Sequence, residues 1–286
     1  MARTVLVTGA AGGVGLELVK LLAAAGDEVV GVVLDEAEAA RVRAAVPTVR
    51  ALVPIDLADA DSVAPALAPI FAAPGFKLDA VVTCAAVWPG GPLETTPLSE
   101  FRETFEINTM GCVAIYQQCL PLLRATKGRF VFVSSISGKV ALPFNGAYTL
   151  SKYAIEALGD LARREAGKWG VKVSIVEPGP IKTPMVTAMA AKLDRERAAL
   201  TDEARALYGD LYDAFALMVE EGYPTATEPK VVAETIVEAL DAAEPLTRYE
   251  VDDTARFLCG MPRTMTDLQI DEIAIASVTA KPKEPA

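Results

Sequence analysis

From Thr4 to Glu177 the chain alternates short, Val-rich apolar runs with longer segments of helical period, and few folds accept that order. The runs of strand length are 4–8, 28–34, 49–55, 80–83, 129–134 and 171–177. They are continuously apolar rather than alternating, the pattern of strands covered on both faces. Helices are expected near 14–25, 36–45, 59–72, 98–125 and 147–168. Strands separated by helices pair in parallel through right-handed crossovers, so the expected fold class is α/β, a doubly wound parallel sheet. The pattern changes after Pro184. Residues 185–224 read as an amphipathic helical lid, with Met185, Met189, Leu193, Leu207, Tyr208, Leu211, Tyr212, Phe215 and Met218 on its apolar face. A helix at 228–242 and a short strand at 248–251 follow. No repeat or linker divides the sequence, so residues 1–286 are taken as a single domain, with a disordered tail from about 277 to 286.

Composition narrows the chemistry. The chain has no histidine, which excludes a Ser-His-Asp hydrolase, a His-activated cysteine and a His-ligated zinc; no metal site is expected. Proton transfer must then fall to Tyr, Lys, Asp, Glu or Cys. A net charge of −11 without basic clusters argues against nucleic acid or anionic membrane as partners. Four scattered cysteines read as buried free thiols. No apolar run is long enough to span a bilayer, and a strand begins almost at once after Met1, so the protein is expected in the cytoplasm.

Two local patterns carry function. Thr8-Gly9-Ala10-Ala11-Gly12-Gly13-Val14-Gly15 joins the first strand to the first helix. Glycines there let the backbone approach a pyrophosphate, which the helix N-terminus attracts with free N–H groups and its positive dipole end. Tyr148 and Lys152 stand four residues apart at the start of a helix and share one face. A phenol needs a neighbouring cation to act as a base near neutral pH. Alone, such a pair is commonly a solvated helix face. Here Ser134-Ser135 ends the fifth strand and Pro178-Gly179-Pro180-Ile181-Lys182-Thr183 ends the sixth, both on the sheet edge where α/β proteins hold ligands.

As an ordered set these motifs resemble the short-chain dehydrogenases/reductases over about residues 3–260. The matching positions are Thr8, Gly9, Gly13 and Gly15; Asn108 within Ile107-Asn108-Thr109-Met110-Gly111; Ser135; Tyr148 and Lys152; and Pro178, Gly179 and Thr183. The stretches Ser151–Leu158 and Gly170–Gly179 look most like the branch of retinol, 17β-hydroxysteroid and 3-hydroxybutyrate dehydrogenases. The resemblance implies a Rossmann-type oxidoreductase that moves a hydride between NAD(P) and a secondary alcohol or ketone. It implies Tyr148 as acid/base, Ser135 holding the substrate oxygen, Lys152 stabilising the phenolate and binding ribose, and Asn108 holding a relay water. Cofactor contacts are implied for Gly9, Gly13, Val14, Gly15, Asp35, Asp56, Leu57, Ala85, Tyr148, Lys152, Pro178, Gly179, Ile181 and Thr183. The family's Asn-Asn-Ala-Gly after strand four is replaced by Thr83-Cys84-Ala85-Ala86, which should alter local hydrogen bonds while small residues keep the turn open.

NAD is the expected cofactor, with NADP the alternative, because Gly31–Glu36 holds acids and no cation. Counting from Gly26, Val33 and Leu34 take the usual acidic and Arg positions, which leaves Asp35 either on the ribose or in solvent. The lid's apolar content suggests a hydrophobic substrate, steroid-, retinoid- or aromatic-like, or else a lid packed on itself. Trp88, Val140 and Phe144 could line its pocket, and Lys182 is the nearby cation a small hydroxy acid would want. Two rival readings are an extended-type sugar-nucleotide epimerase or dehydratase and a non-catalytic dinucleotide-binding regulator. Apolar residues beyond one face of helices 98–125 and 147–168 (Phe101, Phe105, Ile115, Leu161) suggest a homodimer or homotetramer.

Overall fold

The computed structural model describes residues 2–279. Strand β1 (Thr4–Thr8) leads through the glycine turn into helix α1 (Gly13–Ala24). Then come β2 (Glu28–Val33), α2 (Glu36–Ala45), β3 (Ala51–Pro54), α3 (Val63–Phe71) and β4 (Ala80–Thr83). A long loop precedes α4 (Leu98–Phe105), a π-helical turn (Glu106–Met110) and α5 (Gly111–Thr126). Next are β5 (Arg129–Val133), α6 (Gly146–Ala166), β6 (Lys172–Glu177), α7 (Pro184–Ala198), α8 (Asp202–Gly222) and α9 (Pro229–Asp241). The described chain closes with β7 (Arg248–Glu250), α10 (Asp253–Thr264) and α11 (Asp267–Thr279).

The seven strands form one parallel sheet in the order β3-β2-β1-β4-β5-β6-β7. Alternate residues of each strand feed opposite layers, as a period of two requires. Leu6, Val30, Val81, Phe130, Phe132 and Ile175 face α3, α5 and α6. Val5, Val7, Val29, Val82, Val131 and Val176 face α1, α2 and α9. Thr8 pairs with Thr83, Thr83 with Phe132, and Val133 with Val176. This register brings the carboxyl ends of β1, β4, β5 and β6 to one edge, the rim where the glycine turn, Ser135 and Pro178 all emerge.

Several details differ from the sequence expectation. The expected helix 98–125 is interrupted by the π turn at Glu106–Met110. Ile115, expected on an outer face, is fully buried in the core between β4 and β5. The lid is two helices, α7 and α8, and its apolar face packs mainly on itself: Met189, Leu193, Tyr212 and Phe215 enclose Phe144. Helices α10 and α11 were not expected. Residues 277–279, assigned above to a disordered tail, are helical because Ala274 and Val278 are buried, the latter against the lid core. The remainder of that tail lies outside the described residues. No helix of the described residues is long and apolar enough to cross a membrane.

Helix α11 is thus a wall of the lid. Burying a valine contributes roughly 1.5–3 kcal/mol. A variant that stops after Thr266 should keep its sheet by circular dichroism, while trypsin cuts within residues 185–224 at least about tenfold faster in limited digestion.

Candidate active site at the carboxyl rim

The glycine turn owes its shape to contacts no side chain would permit. Gly9 adopts φ +63°, and a Cβ there would lie 2.8 Å from the Ala85 backbone. A Cβ on Gly15 would come within 2.0 Å of the Gly9 carbonyl oxygen. One on Gly13 would meet Thr183 Cγ2 at 2.9 Å, which locks the turn against the segment after β6. The first turn of α1 has no side-chain cap, so its N–H groups face outward for an anionic ligand. Ala85 N–H donates to Thr8 Oγ1 at 3.2 Å, so the Thr83–Ala86 segment that departs from the family pattern still nests on the glycine turn.

A cavity of about 440 Å³ follows the rim. Its walls include Gly9, Gly13, Val14, Gly15, Asp56, Leu57, Ala85, Ser135, Tyr148, Lys152, Pro178, Gly179, Ile181 and Thr183. Asp56 also accepts from Ala58 N–H, which fixes its turn. Two expected site residues are absent from the wall. Asp35 caps α2, accepting from Glu38 N–H at 2.8 Å, and Glu38 with Arg41 faces the cavity instead. Glu38 Oε2 accepts from Leu34 N–H at 2.9 Å, and Glu38 Oε1 pairs with Arg41 at 3.0 Å. The helical spacing of Glu38 and Arg41 is legible in the sequence, but which turn of α2 meets the cavity is not.

Asn108 is the second. Three of its four side-chain positions are taken: Oδ1 accepts from Val87 N–H at 2.8 Å, and Nδ2 donates to Val87 O at 2.9 Å and Ser151 Oγ at 3.0 Å. These bonds tie the post-β4 loop to α6, and one Oδ1 lone pair stays open. The π turn that carries it displaces backbone carbonyls from the regular helical ladder.

Tyr148 and Lys152 project from the first turns of α6. Lys152 Nζ lies 5.4 Å from the Tyr148 ring centroid and donates to Val133 O at 2.9 Å, which fixes the ammonium beside the phenol. Ser135 Oγ accepts from Ser137 N–H at 3.1 Å, leaving its own proton free to donate. Burial, opposed by Lys152 and reinforced by Cys112, pushes the Cys84 thiol in the cavity wall up to about 12, so it stays protonated and inert. Trp88 packs on Tyr148 with centroids 5.7 Å apart, and on Phe215 of the lid at 6.4 Å. Phe144 and Val140 are buried, Phe144 in the lid core. Lys182 pairs with Glu228 at 2.6 Å.

The arrangement suits a dinucleotide. The glycine turn would hold the pyrophosphate, Asp56 and Leu57 the adenine side, and Lys152 with the Pro178–Thr183 segment the nicotinamide side. The observation that fits this group is a turn at Gly9–Gly15 packed too closely for side chains, which leaves bare backbone along the cavity wall.

Comparison with known proteins points the same way. The family model described as short chain dehydrogenase matches residues 3–194. The chain is 30% identical to 17-beta-hydroxysteroid dehydrogenase type 6 of Bos taurus over 93% of this chain and 86% of that protein. Its match to the Homo sapiens protein of that name is 37% identical and covers 57% of this chain and 53% of that protein. The NADPH-dependent 3-dehydrocapnine reductase of Ornithobacterium rhinotracheale is 30% identical, with 95% of each covered. Among solved structures, a short-chain type dehydrogenase/reductase from Mycobacterium ulcerans superposes with TM-score 0.71 at 26% identity, covering 89% of this chain and 90% of that one.

Replacing Asn108 by Ala would remove the partners of both Val87 backbone groups, which are half-buried at the cavity wall, and would leave a gap at a buried position. Urea unfolding of Asn108→Ala should show a loss of roughly 1–3 kcal/mol.

Proposed function

The chain belongs to the short chain dehydrogenase family, oxidoreductases acting on CH–OH groups, and we propose that Tyr148 is the acid/base in hydride transfer between NAD and an apolar secondary alcohol or ketone. The observation that carries this reading is the meeting of Ser135, Tyr148 and Lys152 with the glycine turn in one cavity wall. A bound nicotinamide dinucleotide supplies the hydride acceptor or donor. In the oxidative direction the Tyr148 phenolate takes the alcohol proton. The Lys152 ammonium stabilises that phenolate from beside its ring, and the Ser135 hydroxyl donates to the substrate oxygen as charge develops there. In reduction, Tyr148 returns the proton to the oxygen. Asn108 keeps α6, and with it Tyr148, at a fixed distance from the rim.

The preference for NAD rests on Glu38 rather than Asp35. Arg41 and Lys152 are the cations in the cavity wall, and Arg41 is already paired with Glu38, so a 2′-phosphate would break that pair and meet the Glu38 carboxylate. The apolar substrate class is supported by the Trp88 ring beside Tyr148, which Phe215 backs from the lid, and by Lys182 being paired with Glu228. Four free thiols fit a reducing, cytoplasmic setting. Exposed Phe105, Met110, Leu150 and Leu161 on α4, the π turn and α6 support a homo-oligomer.

Two measurements test this. Tyr148→Phe should lower turnover, followed at the reduced-nicotinamide band over an alcohol and ketone panel, by about 10²–10⁴-fold, with NADH binding by fluorescence nearly unchanged. Activity like the wild type would remove Tyr148 from the chemistry. Glu38→Gln, which frees Arg41 and deletes the acid, should narrow the NADH-over-NADPH preference in binding titrations by about tenfold.

A further inference from the structure

Behind the rim lies a buried charge cluster that the chemistry above does not use. Glu177, the last residue of β6 and the neighbour of Pro178, is 0% exposed. Glu156 stands one turn beyond Lys152 on α6 and is 6% exposed. Lys139 follows the 3₁₀ turn behind Ser135, and its Nζ lies 2.7 Å from Glu156 but 3.4 Å from Glu177. Arg248 of β7 is divided among three carboxylates: Glu156 at 3.0 Å, Asp160 at 3.1 Å and Glu177 at 3.1 Å. Asp160 has Arg163 and Arg164 as further partners toward the surface. Glu250 stands opposite Glu177 in the β6–β7 register and adds a like charge.

The two cations therefore serve Glu156 first. Neither Glu177 oxygen receives a well-formed hydrogen bond, and neither does Glu156 Oε1. A fully buried carboxylate in that position is costly to keep ionised. Burial, then the adjacent Glu156, push the Glu177 carboxyl up to about 7, against the pull of Lys139 and Arg248. The Cys259 thiol of α10 nearby is itself pushed up by burial and by these acids, so it stays neutral.

The cluster sits where two segments of the site are stitched together. Ser134 N–H donates to Val176 O at 2.8 Å, Ile136 N–H to Pro178 O at 3.0 Å, and Val251 N–H to Glu177 O at 3.2 Å. Lys139 extends directly from the Ser135 turn. Its ammonium stands between Glu156 at 2.7 Å and Glu177 at 3.4 Å, so the charge on Glu177 bears on the turn that carries it.

We propose that Glu177 is a positioning residue whose carboxyl exchanges a proton within the Lys139–Glu156–Arg248 cluster, and that this exchange sets the Ser135 turn against the Pro178–Thr183 segment. The site thereby gains a response to pH that is separate from Tyr148 and Lys152.

The test uses the full chain without any ligand, so its outcome is independent of the cofactor reading above. In protein labelled with carboxyl-¹³C glutamate, one glutamate should titrate near neutrality, far above the ordinary carboxylate range, and vanish in Glu177→Gln. The amide resonances of Ser137 and Gly179 should shift with the same midpoint in the wild type and stay still in Glu177→Gln. Because the folded-state value is raised above the unfolded one, the stability it contributes is present at low pH and lost as pH rises from the ordinary glutamate range through about 7. Thermal unfolding should show that slope in the wild type and lose it in Glu177→Gln. Lys139→Met, which removes a cation and leaves the acids in place, should move the midpoint upward, and this variant carries the test if Glu177→Gln does not fold. The proposal is overturned if every glutamate titrates in the ordinary range, if the neutral titration survives in Glu177→Gln, or if the two amides ignore it.

Discussion

The side chain of Asn108 uses three of its four hydrogen-bonding positions to join the post-β4 loop to α6, and the geometry of the rim depends on that link. Two bonds grip the backbone of Val87 just past β4, and the third reaches Ser151 one turn along the helix that carries Tyr148. The sheet fixes where β4 ends, but nothing in a parallel ladder fixes the height of α6 above it. Asn108 helps to do so from a π turn, together with the Lys152 bond to Val133 O and the packing of Ile155 and Ala162 on the sheet. Buried amides of this kind specify one arrangement because any slip leaves donors and acceptors unpaired in a low dielectric.

Much of the fold was legible because strands buried on both faces announce themselves as unbroken apolar runs. All seven expected strands lie within a residue or two of their observed ends, and the glycine turn, Ser135, Tyr148, Lys152 and Thr183 converge as their places after β1, β5 and β6 required. The failures have physical causes. Asp35 carried the right charge at the right point in the chain, yet the strand ended at Val33 and the helix began at Glu36, so the acid became a cap and Glu38 took the cavity. Ile115 looked external because a helix between two layers has apolar residues on more than one face. Helix α11 buries only Ala274 and Val278 among mixed neighbours and leaves little periodic signal, whereas α10, with Ala255 and Cys259 on one face, carries a helical pattern that the sequence reading passed over. Lys139, Glu156, Glu177 and Arg248 are too far apart in sequence for spacing to join them; only the sheet order does.

The lid shows a related ambiguity resolved by packing. An amphipathic segment beside an active site can offer its apolar face to substrate or to itself, and here most of that face encloses Phe144. Trp88 is the exception. It lies against both the phenol and Phe215, so the aromatic surface beside Tyr148 is continuous with the interior of the lid. The shape of the space beside the phenol is therefore coupled to how α7 and α8 pack on each other.

That coupling reaches the final described helix. Val278 completes the hydrophobic interior shared by Tyr212 and Phe215, although some sixty residues separate it from them in the chain. The lid is consequently discontinuous in sequence. Grafting residues 185–224 alone onto a relative's scaffold would transplant two helices without the surface that closes them, whereas a chimera that also inherits 267–279 carries the lid whole.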